Sequence, residues 1–236
     1  MRASLRMAVC AVTLTLSLGM MAPAQAAVVD LMVTLNIINV VDDQGNAAQT
    51  LGTPFQQQSI MDVVNTIWNE AGIGVEIKNT TVFTDPAALN GGYSSVSSLV
   101  NAGRTAGVLD SDPLVLNVFM VDIRPGDVQY GTNYVAGVAG LGWNGIAFYI
   151  GTDLMSWSSW PTIGRVLAHE IGHNLGLPHY DEIVNLMSTS GGNFYLTQAQ
   201  IDTARNSVFA VAIPEPATLV LLTVGGLWLN RRRRAA

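Results

Sequence analysis

Apolar residues recur with period two, many of them β-branched, over residues 28–41, which predicts a first β-strand. Asp42-Asp43-Gln44-Gly45-Asn46 follows as a turn cluster. The period then changes. Ile60, Val63, Val64, Ile67 and Trp68 share one face of a helix that Ser59 would cap, running to about Ala71 before Gly72 and Gly74 end it. Residues 75–83 predict a second strand. Residues 90–112 are rich in Gly, Ser and Asn, with a short helix near 96–104. Residues 114–123 form a nearly continuous apolar run, the pattern of a buried strand, and 124–134 read as a loop. A glycine-rich stretch over 137–151 contains the apolar run Gly145-Ile146-Ala147-Phe148-Tyr149-Ile150. Pro161 then opens another helix, where a missing N–H costs nothing, and Ile163, Val166, Leu167 and Ile171 are its packing face. Thr197 caps a last helix that runs to about Phe209 and should back the cleft.

The Pro161 helix carries the chemistry: His169-Glu170-Ile171-Gly172-His173-Asn174-Leu175-Gly176-Leu177-Pro178-His179. His169 and His173 are four apart, so two imidazoles stand one above the other on one helical face and can ligate one metal ion. Glu170 projects beside them, where a carboxylate reaches a water without being a ligand. Gly176 permits the backbone turn that ends the helix, and Pro178 stiffens the path to His179. Three nitrogen ligands with a fourth position open is the pattern of a catalytic zinc site. The chain has only three histidines, and all three fall in these slots. A closed structural zinc site would need a fourth ligand, and no histidine remains to supply it.

H-E-x-x-H-x-x-G-x-x-H resembles the metzincin zinc-protease signature. That family also places a methionine turn below the metal, and Asn185-Leu186-Met187-Ser188 lies eight residues after His179. The short gap is similar to the matrixin and serralysin branches. Tyr180 follows the third histidine, and Thr189 stands two past Met187, where astacins and serralysins carry a tyrosine. The strand–helix–strand order over 28–83 resembles the opening of metzincin catalytic domains. The resemblance implies an α+β domain with a mixed twisted sheet, an active-site helix and a small C-terminal lower part. It implies an edge strand at 137–151 above the cleft, to which an extended peptide can pair. It further implies a zinc-dependent metalloendopeptidase in which His169, His173 and His179 hold one Zn2+ and Glu170 is the catalytic base, acting on a protein or peptide substrate.

Both ends of the chain read as delivery devices. In residues 1–26, Arg2 and Arg6 precede an apolar run over 7–21, and Ala24-Gln25-Ala26 is a small-x-small cleavage site, the pattern of a secretory signal. The only cysteine, Cys10, lies in that run, so a mature chain beginning near Ala27 has no disulfide and no thiol to cap the zinc. At the other end, Pro214-Glu215-Pro216 precedes a thirteen-residue apolar run over 217–229 and Arg231-Arg232-Arg233-Arg234. This trio resembles the PEP-CTERM sorting tail of Gram-negative bacteria. It implies a short transmembrane segment, passage through the inner membrane, and an exosortase-like sorting enzyme as partner. The expected division is a signal at 1–26, a catalytic domain at 27–210 and a sorting tail at 211–236. The expected destination is the cell envelope or outside.

Charge narrows the partners. The full chain has net charge −6, and residues 27–210 hold five basic and sixteen acidic residues. Nucleic acid is an unsuitable partner for such a surface. Asp122, Asp127 and Asn133 offer oxygens that would suit calcium, on a spacing that matches no standard calcium loop. The alternative from another functional class is a surface or matrix binding protein that keeps a metzincin-like shell. The intact Glu170 argues against it, because a binding module needs no base.

Overall fold

Strand β1 (Leu31–Val41) is the spine of the molecule. It pairs in parallel with β2 (Ile73–Thr84) on one side and with β3 (Leu116–Met120) on the other. Beyond β3 lie β5 (Ile146–Tyr149), parallel to it, and then β4 (Ala136–Ala139), antiparallel to β5, giving the order β2-β1-β3-β5-β4. A two-residue strand, β6 (Val211–Ala212), pairs antiparallel with Leu31 and Met32 at the start of β1. This computed structural model describes residues 28–48, 50–122, 136–149, 160–189 and 194–214.

Parallel neighbours need crossovers, and helices supply them. Helix α1 (Pro54–Trp68) connects β1 to β2, while α2 (Pro86–Leu89) and α3 (Val96–Ala106) lie between β2 and β3. Alternate strand residues face opposite ways and bury into two cores. Val33, Leu35 and Ile37 of β1 join Leu116, Val118 and Met120 of β3 under α1 and α4 (Trp160–Asn174). Ile38, Val40 and Phe119 pack on the opposite face against Leu89, Leu99 and Val100 of α2 and α3. Burial on both faces is why apolar residues also occupy adjacent positions, Ile37-Ile38 in β1 and Val118-Phe119-Met120 in β3.

The α+β expectation with a mixed sheet holds, and three local expectations change. Helix α1 starts at Pro54, not after Ser59. Thr53 accepts from the Gln56 N–H at 3.4 Å and Gln56 reaches back to the Thr53 N–H at 2.8 Å, a reciprocal capping box with proline at the first position. Ser59 sits within the helix and donates to the Phe55 carbonyl. The apolar run 146–149 is an interior strand, and the edge is the equally short, glycine-containing β4 before it. The last helix, α5 (Gln198–Arg205), is capped by Thr197 as expected but stops at Asn206.

Among the described residues no helix is long and apolar enough to cross a membrane. The signal at 1–26, residues 215–236 of the tail, and the calcium candidates Asp127 and Asn133 lie outside the described residues. Asp122, two residues past β3, donates its N–H to the Leu89 carbonyl.

Candidate active site

Helix α4 lies against α1 and β4, with Ile163, Leu167 and Ile171 fully buried beneath it. Its end is a Schellman turn. The Gly176 N–H bonds to the His173 carbonyl and the Leu177 N–H to the Gly172 carbonyl, both at 2.9 Å, with Gly176 at φ +95°. A side chain at that φ is strained, which explains the glycine. The turn redirects the chain so that His179 comes back to face the helix.

The structure brings His169, His173 and His179 together. Their candidate ligand atoms all lie within 4.8 Å of one another, and among the described residues this is the one group of three or more His, Cys, Asp or Glu side chains so placed. Ring centroids are 4.8 Å apart for His169 and His173, 4.7 Å for His173 and His179, and 5.5 Å for His169 and His179.

Backbone carbonyls orient the two helical rings. His169 Nδ1–H donates to the Leu186 carbonyl and His173 Nδ1–H to the Leu177 carbonyl, each at 2.7 Å. A carbonyl only accepts, so each Nδ1 carries the proton and each Nε2 keeps its lone pair for a metal. The His173 and His179 Nε2 atoms are 3.2 Å apart, close to the edge of a tetrahedron of nitrogens drawn about one zinc at 2.0–2.1 Å. Burial pushes the His169 pKa down to about 4, helped by its two neighbouring imidazoles, and burial also lowers that of His173. The His169 ring therefore stays neutral, the form that ligates, into mild acid, and burial shifts His173 in the same direction. The donor set fits zinc.

The methionine turn lies directly beneath the helix. Met187 is fully buried, and its Sδ would be 2.6 Å from a Cβ built on Gly172. The turn is held from three directions. Asn185 Oδ1 accepts from the Met187 N–H, the Tyr180 N–H donates to the Met187 carbonyl, and the Leu186 N–H donates to the Tyr195 carbonyl. Helix α5 braces it: the Asn185 and Gln200 amides exchange bonds of 2.8 and 3.1 Å. Gln200 Oε1 also takes the Thr197 N–H, so one residue caps α5 and steadies the turn.

Glu170 points to the side of α4 that faces β4. It is 5% exposed, and a Cβ on Gly137 would collide with its Cγ. Four residues on, buried Asn174 binds the turn between β4 and β5. Sequence reasoning had singled out neither Gly137 nor Asn174. The spacing of Asn174 from Glu170, one helical turn, was the available signal.

The family described as Metallo-peptidase family M12B Reprolysin-like matches residues 21–180, more than half of the chain. The chain belongs to that family. This metallopeptidase is a zinc-dependent hydrolase. Among solved structures it is similar to an archaemetzincin from Methanopyrus kandleri, with 18% identity over 74% of this chain and 96% of that one and a TM-score of 0.47. It is also similar to metalloproteinase-II from Bacteroides fragilis, with 21% identity over 77% of this chain and 54% of that one, TM-score 0.46. A zinc-dependent peptidase from Methanocorpusculum labreanum gives 15% identity, 72% and 99% coverage and a TM-score of 0.44. No curated protein matches the metallopeptidase.

Proposed function

We propose that this metallopeptidase is an exported endopeptidase in which His169, His173 and His179 hold the zinc and Glu170 moves the proton. The observation that carries the reading is the pair of carbonyl bonds to Nδ1 of His169 and His173, which leave both Nε2 atoms free beside that of His179. Zinc held by these three histidines would supply Lewis-acid chemistry, polarising a carbonyl and making a water acidic near neutrality. The chain's own residues do the rest. Glu170, buried on the same helix, takes the proton from the attacking water and delivers it to the leaving amine. Seclusion from solvent strengthens its interaction with the reacting atoms.

Strand β4 supports an extended substrate. Among the described residues it pairs with β5 alone, so its other edge offers N–H and C=O groups to a peptide. The eight-residue step from His179 to Met187 supports matrixin- or serralysin-like spacing within a reprolysin-like chain.

The exported destination rests on the sequence of the two ends. Residues 1–26 act as a removable signal, and residues 211–236 halt the chain at the inner membrane and present Glu215 to an exosortase-like enzyme. Turnover of casein or gelatin by the purified chain, lost with a zinc chelator and restored by zinc, tests the activity. Absence of turnover at full zinc occupancy would favour a surface binding protein.

A further inference from the structure

Glu170 and Asn174 are one turn apart on α4, so both face the β4–β5 hairpin, beside the row formed by His169 and His173. Asn174 is fully buried. Its side-chain amide donates into the hairpin turn, toward the carbonyls of Trp143 at 2.6 Å, Gly140 at 3.1 Å and Gly145 at 3.3 Å. The Gly142 N–H in the same turn bonds to the His173 carbonyl at 2.8 Å. The turn is thus tied to the end of the helix that carries two of the histidines. At the other end of β4, Gly137 has no room for a side chain because the Glu170 chain fills the space.

We propose that Asn174 is a positioning residue for catalysis. Its amide sets how far β4 stands from α4, and β4 in turn seats the Glu170 carboxylate through Gly137. One tether then serves both the carboxylate and the edge on which the substrate lies. The proposal rests on Glu170 being the base.

The test uses zinc-loaded chains carrying Asn174→Asp, which keeps the size but turns the donor into an acceptor facing carbonyls, and Asn174→Ser, which keeps one shorter donor. Zinc content should stay near one per chain. Amide exchange over residues 136–149 should quicken by about tenfold or more while α1 exchanges as in the parent. The kcat should fall by about ten- to a hundredfold, with a smaller change in KM, since an error of about 1 Å in placement costs that much. Asn174→Ser should lie between the parent and Asn174→Asp, and it carries the test if Asn174→Asp does not fold. Exchange that quickens evenly across the whole domain, or parental kcat per bound zinc beside an inactive Glu170→Ala control, would overturn the proposal. A fully active Glu170→Ala control would remove the base assignment and this inference with it.

Discussion

The sulfur of Met187 occupies the space that a side chain on Gly172 would need. A Cβ at position 172 would lie 2.6 Å from Sδ and 3.2 Å from Cε, with the Trp68 ring 3.6 Å away. The third intervening position of H-E-x-x-H-x-x-G-x-x-H thus matters for packing. A glycine in mid-helix lowers helix propensity, and here the vacated volume admits the methionine turn. Because the Leu186 carbonyl holds His169, the seating of that turn also sets the orientation of this ring.

Gly172→Ala should therefore destabilise the domain by about 1–3 kcal/mol, as overpacking of a filled site does. Met187→Leu, close in volume, should cost less than about 1.5 kcal/mol and keep the zinc. Urea unfolding with parallel zinc analysis measures both. An unchanged midpoint for Gly172→Ala would contradict this packing.

The Schellman turn makes a separate prediction. Gly176 is at φ +95°, and the Leu177 carbonyl just beyond it orients His173. Gly176→Ala should cost about 1–3 kcal/mol in backbone strain. It should also weaken zinc binding by roughly ten- to a hundredfold, because the partner of a ligand histidine shifts. Competition with a zinc-binding dye reads the affinity. Parental affinity would show that helix end and ligand are uncoupled.

The depressed pKa of His169 gives the zinc-free protein a defined pH response. In the unfolded chain this histidine takes its proton near pH 6.5, but in the folded chain only at about 4. Between those values the unfolded state binds more protons, so stability falls as pH falls through that window. The carboxyls of Asp30, Asp42 and Asp110 are held below their ordinary 3.8 by hydrogen bonds and, for Asp30 and Asp110, by Arg205 and Lys78. Their loss of stability belongs below about pH 4 and does not overlap. Denaturant unfolding of the zinc-free chain at pH 7.5 and pH 5 should show lower stability at pH 5, and His169→Gln should flatten the difference.

Much of the site was legible because helical geometry converts spacing into proximity. Three histidines at offsets of four and six positions, with a glycine between, leave few other arrangements. The Leu177 and Leu186 carbonyls were not legible, since any residue type supplies a carbonyl and only the fold aims it. The edge strand was placed within 137–151 by resemblance, but its division into an edge β4 and an interior β5 was hidden for a related reason. Gly137 in β4 and Gly140 just after it weaken the strand pattern, yet Glu170 and Trp143 fill the space that a side chain at either position would need. The start of α1 was obscured by competing caps. Ser59 fits the apolar periodicity, but Thr53-Pro54 with Gln56 satisfies more of the open N–H groups at the helix start. The buried Asn185–Gln200 pair joins residues fifteen apart that carry no periodic signal.

The end of the chain yields a prediction about processing. Val211 and Ala212 pair with β1 and the Ile213 N–H bonds to the Asp30 carbonyl, so ordered pairing reaches the residue before Pro214. Cleavage near Glu215 would leave that pairing whole. Mass spectrometry of protein from its native host should find a chain beginning near Ala27 and ending near Pro214. A mature form that retains Arg231-Arg232-Arg233-Arg234 would point to a permanent anchor.

The most direct test of the whole account is turnover per bound zinc in the Glu170→Ala chain. Glu170 shares the helix with two of the three histidines but is assigned no place in the ligand set, so its loss should leave about one zinc per chain. Peptide hydrolysis per zinc should fall by roughly a hundred- to ten-thousandfold, the usual contribution of a positioned base. Parental turnover in a Glu170→Ala sample with its zinc confirmed would contradict the mechanism.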